Sequence, residues 1–553
     1  MLISRVRRRA RNVALLVSMV VLAAVGCAPG LPAPDATVSL EPTKSAPPDP
    51  VPREALGSYG VSSGHPLATR AGMRILEQGG SAVDAAIATA FADAVMQPAS
   101  SGIGGGGAAI VADDGEATNY DYREVVNQAG VVPPSGTGIP GFLAGMGRLH
   151  DQYGRLGWSE LLQPAITLAR DGAPVSRYLA GSLGSGLGRR VLAGLAQFQR
   201  SDGSPLAEGD LLVQSELAAT MQMLAESGPG AGYSGPLGQA LSAVEGIDAP
   251  SLAAYSVQEG APASGPVGPY TMLSGAPALP GAAIVQMVQI AEAAGIAQTP
   301  PGSAQFADLQ SRAWQIADDS VQQYLGDPAF VDVPVDSLTD PTLNAGLAAT
   351  LGDVSVTSKT GPGYTGAPNT THISVVDADG QAVSMTNTIT NYWGSGRYVA
   401  GFFMNDQLSR FGDIGEQGQN QPAPGRRSVT WSSPSMLLDT EGRPVLVLGA
   451  PGGRQIPNTT AQVVILWALH GLSLDQAVPI DRFILDRGVL RLESDGLADP
   501  MQELGYQVEV TSPASRANYG SVQALAIDWE SRTVSGFADT RRSAGFEVAG
   551  SGR

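Results

Sequence analysis

The stretch "NTTHISVVDADGQAVSMTNTIT", which begins at Asn369, constrains the fold more than any other part of the chain. Two threonine-rich, β-branched runs flank "DADG", the composition of a β-hairpin. With a loop at Ala378–Gly380, Asp377 faces Gln381. The same register carried down the strands sets Thr370 opposite Thr388. A two-residue loop would shift this by one position and still leave the two threonines side by side. Ordinary strand threonines produce the same pattern, so the spacing alone assigns no chemistry.

Around this hairpin the chain divides into a helix-rich first part and a strand-rich second part, the pattern of a layered α/β or α+β architecture. "SAVDAAIATAFADAV" repeats apolar residues at three and four positions and predicts a helix with one apolar face. Ser81 and Asp84 have the spacing of a capping box at its start. "SSGIGGGGAAIVADDG" reads as a glycine loop entering a strand. Further helices are expected in "SELLQPAITLARDG", "SELAATMQMLAESG", "FADLQSRAWQIADDSVQQYLGDP" and "TTAQVVILWALHG", with Gly172 and Gly228 as stops and His470 as a C-terminal cap. "SMLLDTEGRPVLVLGA" and "VQALAIDWESRTVSGFAD" predict two more hairpins.

The N-terminus is set apart from the fold. "MLISRVRRRARN" is a basic leader, and "VALLVSMVVLAAVG" has signal-peptide length, short for a membrane span. "AVGC" resembles a bacterial lipobox with Cys27 as the lipidated residue; an ordinary secretory signal is the alternative. Residues 1–27 then form a removed signal, and the Pro-rich residues 28–58 a tether. The expected location is outside the cytoplasm, lipid-anchored to the cell membrane, or secreted if the lipobox reading fails.

Composition narrows the chemistry by elimination. Lys+Arg number 33 and Asp+Glu 51, a net charge of −18, which disfavours nucleic acid as a partner. Without residues 1–27, which hold five arginines and no acids, the net charge becomes −23. Cys27 is the single cysteine, so there is neither an intramolecular disulfide nor a cysteine nucleophile in the body. The four histidines, His65, His150, His372 and His470, lack metal-ligand spacing. There is no Walker A lysine, and "GIGGGG" precedes a strand where dinucleotide binding would need a strand-to-helix turn. No cofactor or metal is expected.

A threonine remains as a covalent catalyst. Made N-terminal, it carries its own base, an α-amino group of pKa about 7.7–8.0. An internal threonine reaches that state when its hydroxyl attacks the preceding carbonyl and water cleaves the resulting ester. Asn369-Thr370 is a candidate junction. In "VLVLGAPGGRQIPNTTAQ" a strand, Val445–Leu448, ends in a glycine turn, where the N–H groups of Gly452 and Gly453 suit a developing oxyanion; a flexible connection is the other reading. Arg123 in "NYDYREVVN" fits either a substrate carboxylate anchor or a structural ion pair.

Taken in order, "HPLATRAGMRILEQGGSAVDAAIATAFADAVMQPASSGIGGGG", "YDYRE", "IPGFLAGMGRLHDQYG", "LLQPAITLARDGAPVS", "YLGDPAFVDVP", "TTHISVVDADGQAVSMTNTI" and "GAPGG" resemble the gamma-glutamyltranspeptidase family from about Tyr59 to the end. The resemblance implies an N-terminal-nucleophile hydrolase fold, an αββα sandwich. It implies a precursor cut before Thr370 into a large chain, residues 59–369, and a small catalytic chain, residues 370–553, that stay together. It implies Thr370 as nucleophile, Thr388 as its support, Gly452 and Gly453 as oxyanion donors, and Arg123 as holder of the substrate α-carboxylate. Substrates would be gamma-glutamyl or similar amides, of glutathione for example, with water or an amine as acceptor.

The site for the substrate ammonium departs from the family. Gln407 agrees with bacterial members, but Arg410 stands where an aspartate is usual and Thr390 where an asparagine is. Thr430 and Trp431 lie near the family's paired serines, the lid loop "GDIGEQGQNQPAPG" is short and polar, and "PALPGAA" lacks the usual paired glycines. Two like charges near 4 Å repel by roughly 1 kcal/mol in water and about 4 kcal/mol at an effective dielectric of 20. A donor with a blocked amine or a second carboxylate therefore suits Arg410 better than a free ammonium does. The alternatives are a glutaryl-type amide acylase on the same machinery and a non-catalytic, lipid-anchored binding protein of the same fold.

Overall fold

The computed structural model describes residues 55–358, 369–412 and 418–550. Cys27, the leader and most of the tether lie outside them, as do residues 413–417 of the polar lid loop.

Two antiparallel sheets dominate. The first has seven strands in the order Gly545–Gly550, Ser58–Ser63, Thr371–Val376, Ala382–Thr388, Gly106–Asp113, Glu116–Asp121 and Gln258–Gly260. The second has six, in the order Thr533–Ala538, Gln523–Asp528, Pro444–Gly449, Ser435–Leu438, Tyr270–Ser274 and Ala263–Val267. All three expected hairpins are present. Both sheets take strands from both parts of the chain, so the helix-rich and strand-rich parts do not form separate layers.

Strand alternation builds four layers from these sheets. Ile110, Val376, Met436, Val447 and Leu525 point between the sheets. Their neighbours Ala109, Val111, Val375 and Val383 point outward onto the helix Ala82–Met96. On the far side Leu437, Leu446 and Leu448 pack with Ile284, Trp314 and Val463 of the helices Gly281–Ala293, Ala304–Tyr324 and Ile456–Val464. The result is the expected αββα sandwich.

The helix Ala82–Met96 departs from expectation in its surface. Its capping box at Ser81 and Asp84 is formed, but every residue is buried, so it has no solvent face. Small alanines off that apolar face let the neighbouring helices Pro66–Glu77 and Trp158–Asp171 close over it. Gly172 and Gly228 end their helices with φ of 89° and 80°, positive values that glycine adopts without a Cβ penalty. The expected helix in "TTAQVVILWALHG" starts earlier, at Ile456, and widens into a π-helical turn, Ile465–Leu469, before His470.

Polar side chains also join the sheets close to the opening hairpin. The Ser384 hydroxyl donates to the Leu448 carbonyl at 3.0 Å and accepts the Ser435 N–H at 2.9 Å. The Ser374 hydroxyl donates to the Gln523 carbonyl at 3.1 Å. His372, wholly buried beside them, bonds Thr386 at 2.8 Å, and burial lowers its pKa to about 3, so it is neutral. Gly449 permits this approach: a Cβ there would lie 2.3 Å from the imidazole Cε1. Gly449→Ala should destabilise the fold by about 1–3 kcal/mol through overpacking. Urea unfolding measures it; an unchanged midpoint would show that the sheets have room to part.

Candidate active site

The hairpin register is the expected one. Asn387 pairs with Thr371, and Asp377 donates its N–H to the Gln381 carbonyl at 3.0 Å across a three-residue loop. Thr370 and Thr388 therefore meet at the open end of the two strands, their hydroxyl oxygens 3.4 Å apart. The loop end is anchored as well. The Asp377 carboxyl accepts the Ala82 N–H at 3.1 Å, and burial raises its pKa to about 6.

The Thr388 hydroxyl is the hub of the site. It donates to the carbonyl oxygen of Asn369 at 2.7 Å and accepts the N–H of Thr390 at 2.7 Å. Thr390 can turn its N–H back toward the strand because its φ is +85°, an unusual value for a β-branched residue. The Asn369 N–H donates to the Thr390 carbonyl at 2.9 Å, which closes the ring of contacts. Thr370, Thr388 and Thr390 are all buried. A carbonyl that accepts a fixed hydroxyl proton is polarised toward attack, and here it belongs to the residue just before Thr370.

A small cavity collects most of the residues singled out from sequence. Thr370, Thr388, Thr390, Gln407, Arg410, Thr430, Trp431 and Gly453 line it, with Ser432 and Ile456. Thr390 donates its hydroxyl to Gln407 Oε1 at 2.6 Å, and Gln407 Nε2 donates to the Ser428 hydroxyl at 2.9 Å. Gln407 and Arg410 share the short helical run Gln407–Gly412. The Arg410 charge acts on the buried Asp406, which Asn391 holds through its N–H at 3.0 Å and its side-chain amide at 2.5 Å.

Gly452 and Gly453 stand at the start of the helical run that becomes Ile456–Val464, where N–H groups lack intrahelical partners. Gly453 reaches the cavity; Gly452, with φ of 137°, is one residue behind it. Sequence reasoning passed over the next residue. Arg454 bonds Asp318 at 2.5 Å and Asp486 at 2.9 Å, and its guanidinium lies 5.1 Å from the centre of the Trp431 ring. It thereby braces both the glycine turn and a cavity wall. Its only signal in the sequence was a cation directly after the glycine pair.

Arg123 is not brought into this cavity. It is fully buried, forked onto Asp121 at 3.0 and 2.6 Å, and donates to the Ser428 carbonyl at 2.6 Å. Of the two readings open from sequence, these contacts are those of the structural ion pair, one layer behind Gln407. Burial pushes Asp121 upward, but the guanidiniums of Arg123 and Arg427 outweigh it and hold the carboxyl below its ordinary value. Its neighbour Glu124 is different. Both of its carboxyl oxygens lack a hydrogen-bond partner among the described residues, and burial raises its pKa to about 8.

Glu124 fixes a sign for the pH dependence. Above an ordinary carboxylate pKa of about 4.3 the unfolded chain has lost this proton, while the folded chain keeps it up to about pH 8. Its contribution to stability is therefore fully present at low pH and declines as pH rises through that window. Glu124→Gln should flatten the fall in stability between pH 5 and 8, measured by denaturant unfolding at several pH values. An unaltered slope would show that Glu124 is ionised in the fold.

Comparison with known proteins bears on the family and the fold. Residues 68–549 match the family model for gamma-glutamyltranspeptidase. The chain is 32% identical to the capsule biosynthesis protein CapD proenzyme of Bacillus anthracis, over 88% of this chain and 90% of that one. It is 34% identical to the acylase ACY 1 proenzyme of Pseudomonas sp. strain SE83, over 90% and 95%. Its fold is that of a cephalosporin acylase from Bacillus halodurans, with a TM-score of 0.79 over 92% of this chain and 99% of the other at 23% identity. With its sandwich fold and a family match across most of its length, the chain belongs to the gamma-glutamyltranspeptidase family of N-terminal-nucleophile hydrolases.

Proposed function

We propose that this protein is a self-processed N-terminal threonine amidohydrolase or transpeptidase that cleaves gamma-glutamyl or gamma-glutamyl-like amides through an acyl-enzyme. One observation carries the reading: the Thr388 hydroxyl lies between the Thr370 hydroxyl and the Asn369 carbonyl, at 3.4 and 2.7 Å. The precursor is thus arranged for attack by Thr370 on the bond before it, giving chains 59–369 and 370–553. Cleavage frees the Thr370 α-amine, with an ordinary pKa of about 7.7–8.0, to serve as the base for its own hydroxyl. Gly453, with Gly452 behind it, supplies N–H groups for the oxyanion of the donor amide. Water or an amine then takes the acyl group.

Arg410 decides the donor. Its cation lines the same cavity as Thr370, where the family usually has an acid for the substrate ammonium. A donor carrying a second carboxylate or a blocked amine fits that charge. Poly-gamma-glutamyl chains and glutaryl-type amides are the candidates. The likeness to the ACY 1 acylase proenzyme supports an acylase reading.

Thr370→Ala should leave a single full-length chain on a denaturing gel and abolish amidase activity, whereas the wild type runs as two chains with the smaller starting at Thr370. A whole and inactive wild type, tested across blocked and free gamma-glutamyl amides, would favour a binding protein instead. Arg410→Asp should shift the kcat/KM ratio toward free-amine gamma-glutamyl donors over glutaryl donors by about tenfold to several hundredfold, as repulsion becomes attraction. A ratio that does not move assigns donor choice elsewhere.

A further inference from the structure

The side chain of Asn369, just ahead of Thr370, is held more elaborately than a strand residue needs. Its backbone N–H is already paired with Thr390. Its Oδ1 nevertheless accepts from the Tyr178 hydroxyl at 2.8 Å, from Arg542 Nη1 at 2.9 Å and from the Thr370 N–H at 3.0 Å. Its Nδ2 donates to the Ser100 hydroxyl at 2.6 Å. The residue is fully buried. The holding groups brace one another: the Arg542 guanidinium lies 4.9 Å from the centre of the Tyr178 ring, and the Tyr178 and Tyr392 hydroxyls are 2.5 Å apart. They come from widely separated parts of the chain and converge on one carboxamide.

None of Ser100, Tyr178 and Arg542 lines the cavity that holds Thr370 and Arg410. Tyr178, Tyr392 and Arg542 line a separate one of about 1010 Å³. A guanidinium and a phenol placed on a neutral amide oxygen fix its position through directional, charge-assisted bonds. Because the same oxygen also takes the Thr370 N–H, the grip reaches the scissile amide itself.

We propose that Ser100, Tyr178 and Arg542 form an internal recognition site for the residue preceding the scissile bond, positioning the Asn369 carbonyl for self-cleavage. This rests on the reading that the chain is cut before Thr370. In that step Thr370 Oγ bonds to the Asn369 carbonyl carbon, and the displaced electron pair rests on the oxygen that Thr388 donates to. The C–N bond breaks, and the hydroxyl proton ends on the Thr370 nitrogen, leaving an ester and a free amine. Water then adds to the ester carbon, the C–Oγ bond breaks, one proton of the water passes to Oγ, and its hydroxyl stays on Asn369 as the new carboxyl group while the amine keeps both its hydrogens. Arg542 and Tyr178 touch no reacting atom. They are positioning residues, and a small misplacement of the attacked carbonyl costs a large factor in rate.

The test follows the appearance of two chains on a denaturing gel with time, in full-length protein. Arg542→Ala and Asn369→Leu should split about tenfold or more slowly than the wild type. Asn369→Asp, which keeps an acceptor oxygen for both donors, should stay within about threefold of wild type. The leucine has asparagine's bulk without its acceptor, so a purely space-filling role would leave Asn369→Leu fast. Melting temperatures close to wild type exclude misfolding as the cause, and Asn369→Leu carries the test should Arg542→Ala fail to fold. A wild type that stays whole removes the reading beneath this inference. A wild type that splits while Arg542→Ala and Asn369→Leu split at the same rate removes the inference alone.

Discussion

The bond from the Thr388 hydroxyl to the Asn369 carbonyl depends on the register of one hairpin, and the rest of the site depends on that bond. A one-residue slip would turn Thr388 to the opposite face of the sheet and remove both its donor and its acceptor role. The register is fixed at both ends. At the loop, Asp377 accepts N–H groups from its own turn and from the helix start at Ala82. At the open end, Thr390 takes a costly positive φ and in return closes two hydrogen bonds around Asn369 and Thr388. The strain sits beside the chemistry, where surrounding contacts can hold it.

The cavity is a meeting of two sheets, and its walls are only as well placed as those sheets. Serine hydroxyls fix their relative height by bonding across to backbone groups, and Gly449 lets the imidazole of His372 occupy the gap. A neutral His372 adds no charge near Thr370. The cations in this region are Arg410 in the cavity, Arg454 behind the glycine turn and Arg542 on the far side of Asn369. Each meets a different group: the cavity lining, the acids that flank the glycine turn, and the Asn369 carboxamide. One residue type thus serves three separate placements, set by which strand end or helix start carries it.

Much of this was legible from the chain before any coordinates. Elimination isolated Thr370, and turn chemistry gave its pairing with Thr388. The hairpins and helix stops followed from local pattern, because turns and caps depend on nearby residues. What local pattern could not reveal was long-range. The all-round burial of Ala82–Met96 depends on the helix Trp158–Asp171 and on sheet strands distant in sequence as well as on the preceding helix Pro66–Glu77. Arg123 reads from sequence as an anchor or an ion pair, and its contact with Ser428, far along the chain, comes only from folding. Arg454 and the residues gripping Asn369 had no motif, since Ser100, Tyr178 and Arg542 are joined only by folding.

The strands on either side of the Asn369–Thr370 junction are interleaved. Thr371–Val376 lies between Ser58–Ser63 and Ala382–Thr388, and in the other sheet Ser435–Leu438, from after the junction, pairs with Tyr270–Ser274, from before it. A cut there would release nothing, because each product supplies strands the other needs. It would change the order of the folding reaction. The uncut chain can unfold and return by a first-order path. Once nicked, its pieces would have to find each other again, so refolding would depend on concentration and compete with aggregation of exposed strand edges. The persistence of the working molecule would then rest on how slowly it opens, a kinetic property assigned at the moment of maturation.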